Sequence, residues 1–152
     1  MIDVVALDGD DTLWHSENQF VMTQDRFKAL LEGHADPDEL DARLMAHERE
    51  NLQVFGYGVK GFTLSMIETA IDMTGGRLEA ADARTIINWG REMLAAPIRL
   101  LDGVAEAVES LAQHHSLILV TKGDLLDQET KLARSGLGGL FKGIEIVSDK
   151  NA

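Results

Sequence analysis

Three short apolar runs, each halted by polar residues, constrain what this chain can fold into more than any other feature. Residues 1–7 read Met-Ile-Asp-Val-Val-Ala-Leu and stop at Asp8-Gly9. Leu117-Ile118-Leu119-Val120 stops at Thr121-Lys122-Gly123-Asp124, and Ile144-Glu145-Ile146-Val147 stops at Ser148-Asp149-Lys150. Runs this short and this rich in β-branched residues predict strands covered on both faces, the habit of a parallel sheet. Between the second and third, Asp124 to Ser135 is helix-like and Gly136 is its stop signal. Strand, helix and strand in that order predict a right-handed crossover. Val104, Val108 and Leu111 add a helical face ahead of the second run. The two ends of the chain together read as a doubly wound α/β core.

The middle differs. From Ser16 to about Pro97 the apolar residues recur at helical spacing, and no strand pattern interrupts them. Ser16 with Gln19 reads as a capping box opening a helix that carries Phe20, Phe27 and Leu31 on one face and closes near Gly33. Asp36-Pro37 starts a second helix, with Leu40 and Leu44 on one side, reaching Gly56. A third is expected from Phe62 to Met73 with Ile67 and Ile71 in register, and a fourth from Glu79 to Leu94 with Ile86, Ile87 and Met93. The methionines read as helix core, and His34 and His47 fall on polar helix faces. The borders of this block lack a flexible linker, which favours an insertion over tandem domains.

Composition narrows the function. The 152 residues hold 26 Asp and Glu against 14 Lys and Arg, a net charge of −12. Without a basic stripe, that charge argues against nucleic acid and anionic membranes. No apolar run approaches a bilayer span, and Asp3 stands where a signal peptide would be basic, so the chain is expected to be cytoplasmic. The absence of Cys excludes disulfides and thiolate metal sites.

Chemistry concentrates at the ends of the strand-like runs, where open α/β sheets bind ligands. Leu7-Asp8-Gly9-Asp10-Asp11-Thr12-Leu13 follows the first. If the extended backbone persists through Gly9, Asp8 and Asp10 point the same way, and Gly9 lets a ligand approach closely. Two carboxylates at one mouth repel each other. A hard divalent cation, or a raised pKa that makes one of them a general acid, relieves this. Ordinary turn and capping chemistry is the alternative reading of Asp-Gly-Asp-Asp. An EF-hand does not fit, because Leu13 stands where that loop needs Gly and Gln19 where it needs Glu. After the second run, Thr121, Lys122 and Gly123 lead into a helix, and a hydroxyl with amides at a helix start can cradle phosphate. A simple helix cap with a solvated Lys122 is the competing account. The loop Phe55–Gly61 joins two helices of the inserted block, where Tyr57 or Lys60 could read a substrate. Trp14 reads as packing, and none of the histidines has metal-ligand spacing.

Taken together, an apolar strand then Asp8-x-Asp10-x-Thr12, an apolar strand then Thr121-Lys122-Gly123, and an apolar strand then Lys150 resemble the haloacid dehalogenase-like hydrolase superfamily over nearly the whole chain. The resemblance implies an α/β fold: a Rossmann-like parallel sheet core from residues 1–15 and 98–152, here incomplete, with an inserted all-helical cap at 16–97. It makes Asp8 the nucleophile, Asp10 the acid/base and Lys150 the catalytic cation. Thr121, Lys122 and Gly123 become phosphoryl-binding, Thr12 supports the loop, and Asp8 and Asp10 hold Mg²⁺. Because dehalogenating members lack the second carboxylate, Asp10 points to a phosphatase acting on a small phosphorylated metabolite through an aspartyl phosphate. The aspartyl group would attack phosphorus, and Mg²⁺ would offset the crowded negative charge.

One departure matters. The family's fourth motif, an acidic pair that completes the Mg²⁺ site, should follow Lys150, but the sequence stops at Ala152. The resemblance therefore also implies a truncated chain that leaves a sheet edge bare, to be covered by a second copy or a swapped partner. A phosphomutase of the same family, or a catalytically inactive binding domain, are the competing functions. A phosphorylated receiver domain is disfavoured by the long helical insertion.

Overall fold

A computed structural model describes residues 2–147, so Lys150 lies outside the described residues. Along the chain the elements are β1 (Val4–Leu7), α1 (Glu17–Leu30), α2 (Pro37–Phe55), α3 (Val59–Met73), α4 (Ala80–Ala95), α5 (Val104–Ala112), β2 (Ser116–Thr121), α6 (Leu125–Arg134), a 3₁₀ turn (Gly138–Leu140) and β3 (Phe141–Ile146). They fall into two compact units. One joins the residues up to Asn18 with those from Pro97 onward, and the other is Gln19–Ala96.

In the first unit the three strands form a parallel sheet in the order β1-β2-β3. The register pairs Leu7 with Leu119 and Leu119 with Ile144, so all three strands end at the same side of the sheet. Leu117 and Leu119 are fully buried, each contributing about 1.5–3 kcal/mol by burial. They pack with Leu13, Trp14, Val108, Leu132, Leu137 and Phe141. The expectation of strands covered on both faces holds for neither outer strand. In β1, Val4 is 53% exposed, and in β3 only Phe141 is buried. Among the described residues β1 pairs on one side only, with β2, which makes it an edge.

The second unit is all helical. Its core draws Phe27 and Leu31 from α1 and the turn after it, Leu40 and Leu44 from α2, Val59, Phe62, Met66 and Ala70 from α3, and Ile86, Trp89 and Met93 from α4. Asp36 caps α2 by accepting the amides of Asp38 and Glu39, with Pro37 at the first helical position. Helix α3 starts at Val59, ahead of the expected Phe62, because Gly58 can adopt the φ of 115° that turns the chain into it. Ile71 is 42% exposed and not in the core, as are Met22 and Met45 among the methionines. His47 is largely covered and sits 3.1 Å from Asp72, not on a free polar face. No helix among the described residues is long and apolar enough to cross a membrane.

Helices α3 and α4 touch backbone to side chain. A methyl group at Gly90 would meet Thr63 Oγ1 and lie 3.2 Å from its Cγ2. Alanine is the better helix former by about 1 kcal/mol, but overpacking costs about 1–3 kcal/mol. Gly90→Ala is therefore expected to lower the urea midpoint of this chain. The same substitution in a Thr63→Ala background should cost at least about 1 kcal/mol less. Equal costs in the two backgrounds would mean that the contact does not limit the helix approach.

Candidate active site

The β1/β2 register sets the frame. With Leu7 opposite Leu119, the segment beginning at Asp8 and the segment ending in Thr121 leave adjacent strands at the same end. Asp8 Oδ1 accepts the Gly9 amide at 2.9 Å. The Gly9 carbonyl accepts the amides of Thr12 at 3.1 Å and Leu13 at 2.8 Å, closing a tight turn. A methyl group at Gly9 would lie 2.8 Å from Trp14 Cζ2, so the turn needs glycine to pack on the indole.

This turn swings Asp10 toward α6. Its Oδ1 accepts from Trp14 Nε1 at 2.8 Å and from Lys131 Nζ at 2.9 Å, and its Oδ2 accepts from Gln128 Nε2 at 3.0 Å. Lys131 also reaches Asp127 at 3.1 Å. Burial pushes the Asp10 carboxyl up, but the Lys131 ammonium and the hydrogen bonds from Lys131, Trp14 and Gln128 outweigh it and hold the group below its usual range. The sequence-based alternative of a raised pKa therefore does not apply to Asp10, which is an ionised carboxylate here. Trp14, fully buried, is packing as expected, and it is also a hydrogen-bond donor to the site.

Asp11 supports the loop beside Thr12. Held at a φ of 55°, it turns its carboxylate to accept the amides of Ser16 at 2.9 Å and Glu17 at 3.0 Å, which anchors the loop to the start of α1. The cap of α1 thus comes from upstream, and among the described residues no bond of the expected Ser16 and Gln19 capping box is made. Thr12 is exposed, and its amide takes part in the Gly9 turn. On the second strand, Thr121 is buried, and the Gly123 amide approaches its Oγ1 at 3.4 Å. Lys122 and Gly123 are half-buried. The first turn of α6 is partly self-capped, since Asp124 accepts the Asp127 amide at 3.1 Å. The phosphate cradle expected at Gly123 is accordingly narrowed by its own side chains.

Gln128 and Lys131 escaped the sequence reading. The available signal was that both fall with Asp127 on one face of α6. Hydropathy hid it, because exposure in the first turn of α6 runs opposite to polarity. Leu125 and Leu126 are 48% and 65% exposed, whereas Asp127 and Gln128 are 7% and 1% exposed.

For a hard cation, the described residues bring no three His, Asp or Glu side chains together. Of the two carboxylates expected to hold Mg²⁺, Asp10 is engaged by Trp14, Gln128 and Lys131, and Asp8 accepts the Gly9 amide through Oδ1. That ion commonly takes one or two carboxylates, with water and phosphate oxygens completing its shell.

Comparison with known proteins agrees with this architecture. The family model described as haloacid dehalogenase-like hydrolase matches residues 2–152. A haloacid dehalogenase-like family hydrolase from Xanthomonas campestris is 48% identical, with a TM-score of 0.91, over 99% of this chain and 63% of that one. A HAD-hydrolase from Bacillus subtilis bound to magnesium is 20% identical, with a TM-score of 0.60, over 94% of this chain and 64% of its own. A protein described as a predicted phosphoglycolate phosphatase, from Haemophilus somnus, is 19% identical, with a TM-score of 0.56, over 95% and 62%. L-2-haloacid dehalogenases share the fold to a similar degree. No curated protein matches the sequence. The chain spans less than two thirds of the length of these solved relatives. With the motif order, the parallel sheet and a match from the second residue to the last all in accord, the chain belongs to the haloacid dehalogenase-like hydrolases.

Proposed function

We propose that this chain carries the phosphoryl-transfer site of a Mg²⁺-dependent phosphatase, which hydrolyses a small phosphate monoester through an aspartyl phosphate on Asp8. The observation that carries the reading is the second carboxylate. Asp10 follows Asp8 at the strand mouth, ionised and held by an ammonium and two further donors. In the family pattern, dehalogenating members lack that group.

As the phosphate dianion docks, Asp10 takes up a proton; a carboxylate oxygen of Asp8 then attacks phosphorus, the ester P–O bond breaks, and the departing alkoxide takes that proton from Asp10. Water then attacks phosphorus and gives its proton to Asp10. The bond from phosphorus to Asp8 breaks, phosphate leaves, and Asp10 is protonated for the next turn. Lys131 favours the ionised form of Asp10, which suits the proton-accepting half of the cycle. A docked phosphate dianion raises its proton affinity and suits the donating half. The Thr121 hydroxyl and the start of α6 hold phosphoryl oxygens, with Lys122 at their edge and Lys150 as a further cation. Asp8 and Asp10 would hold Mg²⁺, which when bound would supply the charge neutralisation that an acidic protein needs to accept an anionic substrate.

Phosphate release from an aryl phosphate, with Mg²⁺ and after its chelation, tests this. The parent is expected to turn over only with Mg²⁺, and Asp8→Asn should fall to background. Asp10→Asn should lower turnover by about 10²–10⁴-fold. Equal rates for Asp8→Asn and the parent would remove Asp8 as nucleophile. A burst of protein phosphorylation without net phosphate release would identify a phosphomutase instead.

A further inference from the structure

Two of the three donors that hold Asp10 come from far along the chain. Gln128 and Lys131 lie on one face of α6, and both reach back to the loop after β1. An ionised carboxylate offers about four lone-pair sites. Trp14 and Lys131 fill both on Oδ1, and Gln128 fills one on Oδ2. The remaining site is on Oδ2, and the Asp10 side chain is 34% exposed.

Gln128 itself is built in at a cost. It is 1% exposed, yet its Oε1 has no hydrogen-bond partner among the described residues. Exchanging the amide oxygen and nitrogen gives no relief, because the oxygen would then face the Asp10 carboxylate. Both strand-end loops are trimmed to admit this side chain. A methyl group at Gly123 would stand 2.5 Å from Nε2 and 3.0 Å from Cγ, and one at Gly9 would stand 3.3 Å from Oε1. A buried amide with an orphaned oxygen contributes less to folding than an apolar side chain of similar size, so stability does not account for it. What Gln128 does make is the bond to Asp10 Oδ2.

We propose that Gln128 and Lys131 are positioning residues that fix the Asp10 carboxylate so that the remaining site on Oδ2 is presented to the reacting group. This deepens the phosphatase reading and rests on it for the role of Asp10. Lys131 clamps Oδ1 from between two carboxylates, Asp10 and Asp127, and Gln128 sets the rotation of the group about its axis. Neither residue gains or loses a proton in the reaction, and neither touches substrate.

Three variants test the assignment: Gln128→Leu, Lys131→Met and Lys131→Arg. Each is measured by kcat and KM for Mg²⁺-dependent release of phosphate from an aryl phosphate, by the urea midpoint, and by the ¹⁵N–¹H resonance of the Trp14 indole. That resonance is assigned by its loss in Trp14→Phe. Gln128→Leu is expected to lower kcat by roughly 10–100-fold, the scale of a misplaced catalytic group, with KM within about threefold of the parent. Its urea midpoint should be unchanged or higher, an outcome that a structural role for Gln128 does not give. Lys131→Met should lower kcat similarly and shift the indole resonance, and Lys131→Arg should recover most of both. Because Lys131→Met leaves Asp127 buried without its partner, a failure of that variant to fold leaves the decision to Gln128→Leu and Lys131→Arg. Unchanged kcat in Gln128→Leu, or a loss of rate matched by a loss of stability, overturns the proposal. If the parent releases no phosphate, the phosphatase reading fails. The positioning claim then stands if the indole resonance moves in Gln128→Leu and keeps its parent position in Lys131→Arg, and it falls if the resonance is unmoved in Gln128→Leu.

Discussion

Parallel pairing of β1 with β2 is the constraint on which the site depends. Backbone hydrogen bonds in the Leu7–Leu119 register bring the segment after Leu7 and the segment after Leu119 to one end of the sheet. Burial of Leu117 and Leu119 against Trp14, Val108 and Leu132 holds that register. A slip by one residue would turn these leucines to the opposite face. The sheet core and the chemistry are therefore specified by the same few side chains.

Downstream of that pairing, Trp14 connects packing to chemistry. Its ring fills the floor of the unit and excludes a side chain at Gly9, while its indole N–H binds Asp10. Asp11, in a left-handed conformation, turns the same loop into the cap of α1. One short segment thus ends a strand, closes a turn, starts a helix and presents two carboxylates. Few residue types satisfy all of these demands, which explains why Asp-Gly-Asp-Asp is so dense in small acidic residues and glycine.

Much of the fold was legible because each element carried its own punctuation. Asp36-Pro37 and Gly56 bracket α2, and Asp124 and Gly136 bracket α6, through local cap chemistry that involves only neighbours in sequence. Strand coverage was not legible, since an apolar run looks the same in the middle of a sheet and at its edge. Asp8, Asp10 and Thr121 were visible as polar residues at strand ends. The contacts of Asp10 were not, because they depend on which face of α6 meets the loop. The part that Asp11 plays in the loop was likewise hidden: its carboxylate takes two amides at once, from residues five and six positions on.

The inverted exposure at the start of α6 bears on how this helix tolerates change. Its leucines at positions 125 and 126 face solvent, and its glutamine at position 128 lies where an interior leucine would ordinarily sit. Selection for solubility could replace the two leucines by polar residues with little effect on the interior. A hydrophobicity-guided redesign would instead keep them and exchange the glutamine, retaining a helix while discarding the side chain that ties it to the first loop. In this stretch of sequence, amphipathicity is a poor guide to which positions may drift and which are fixed.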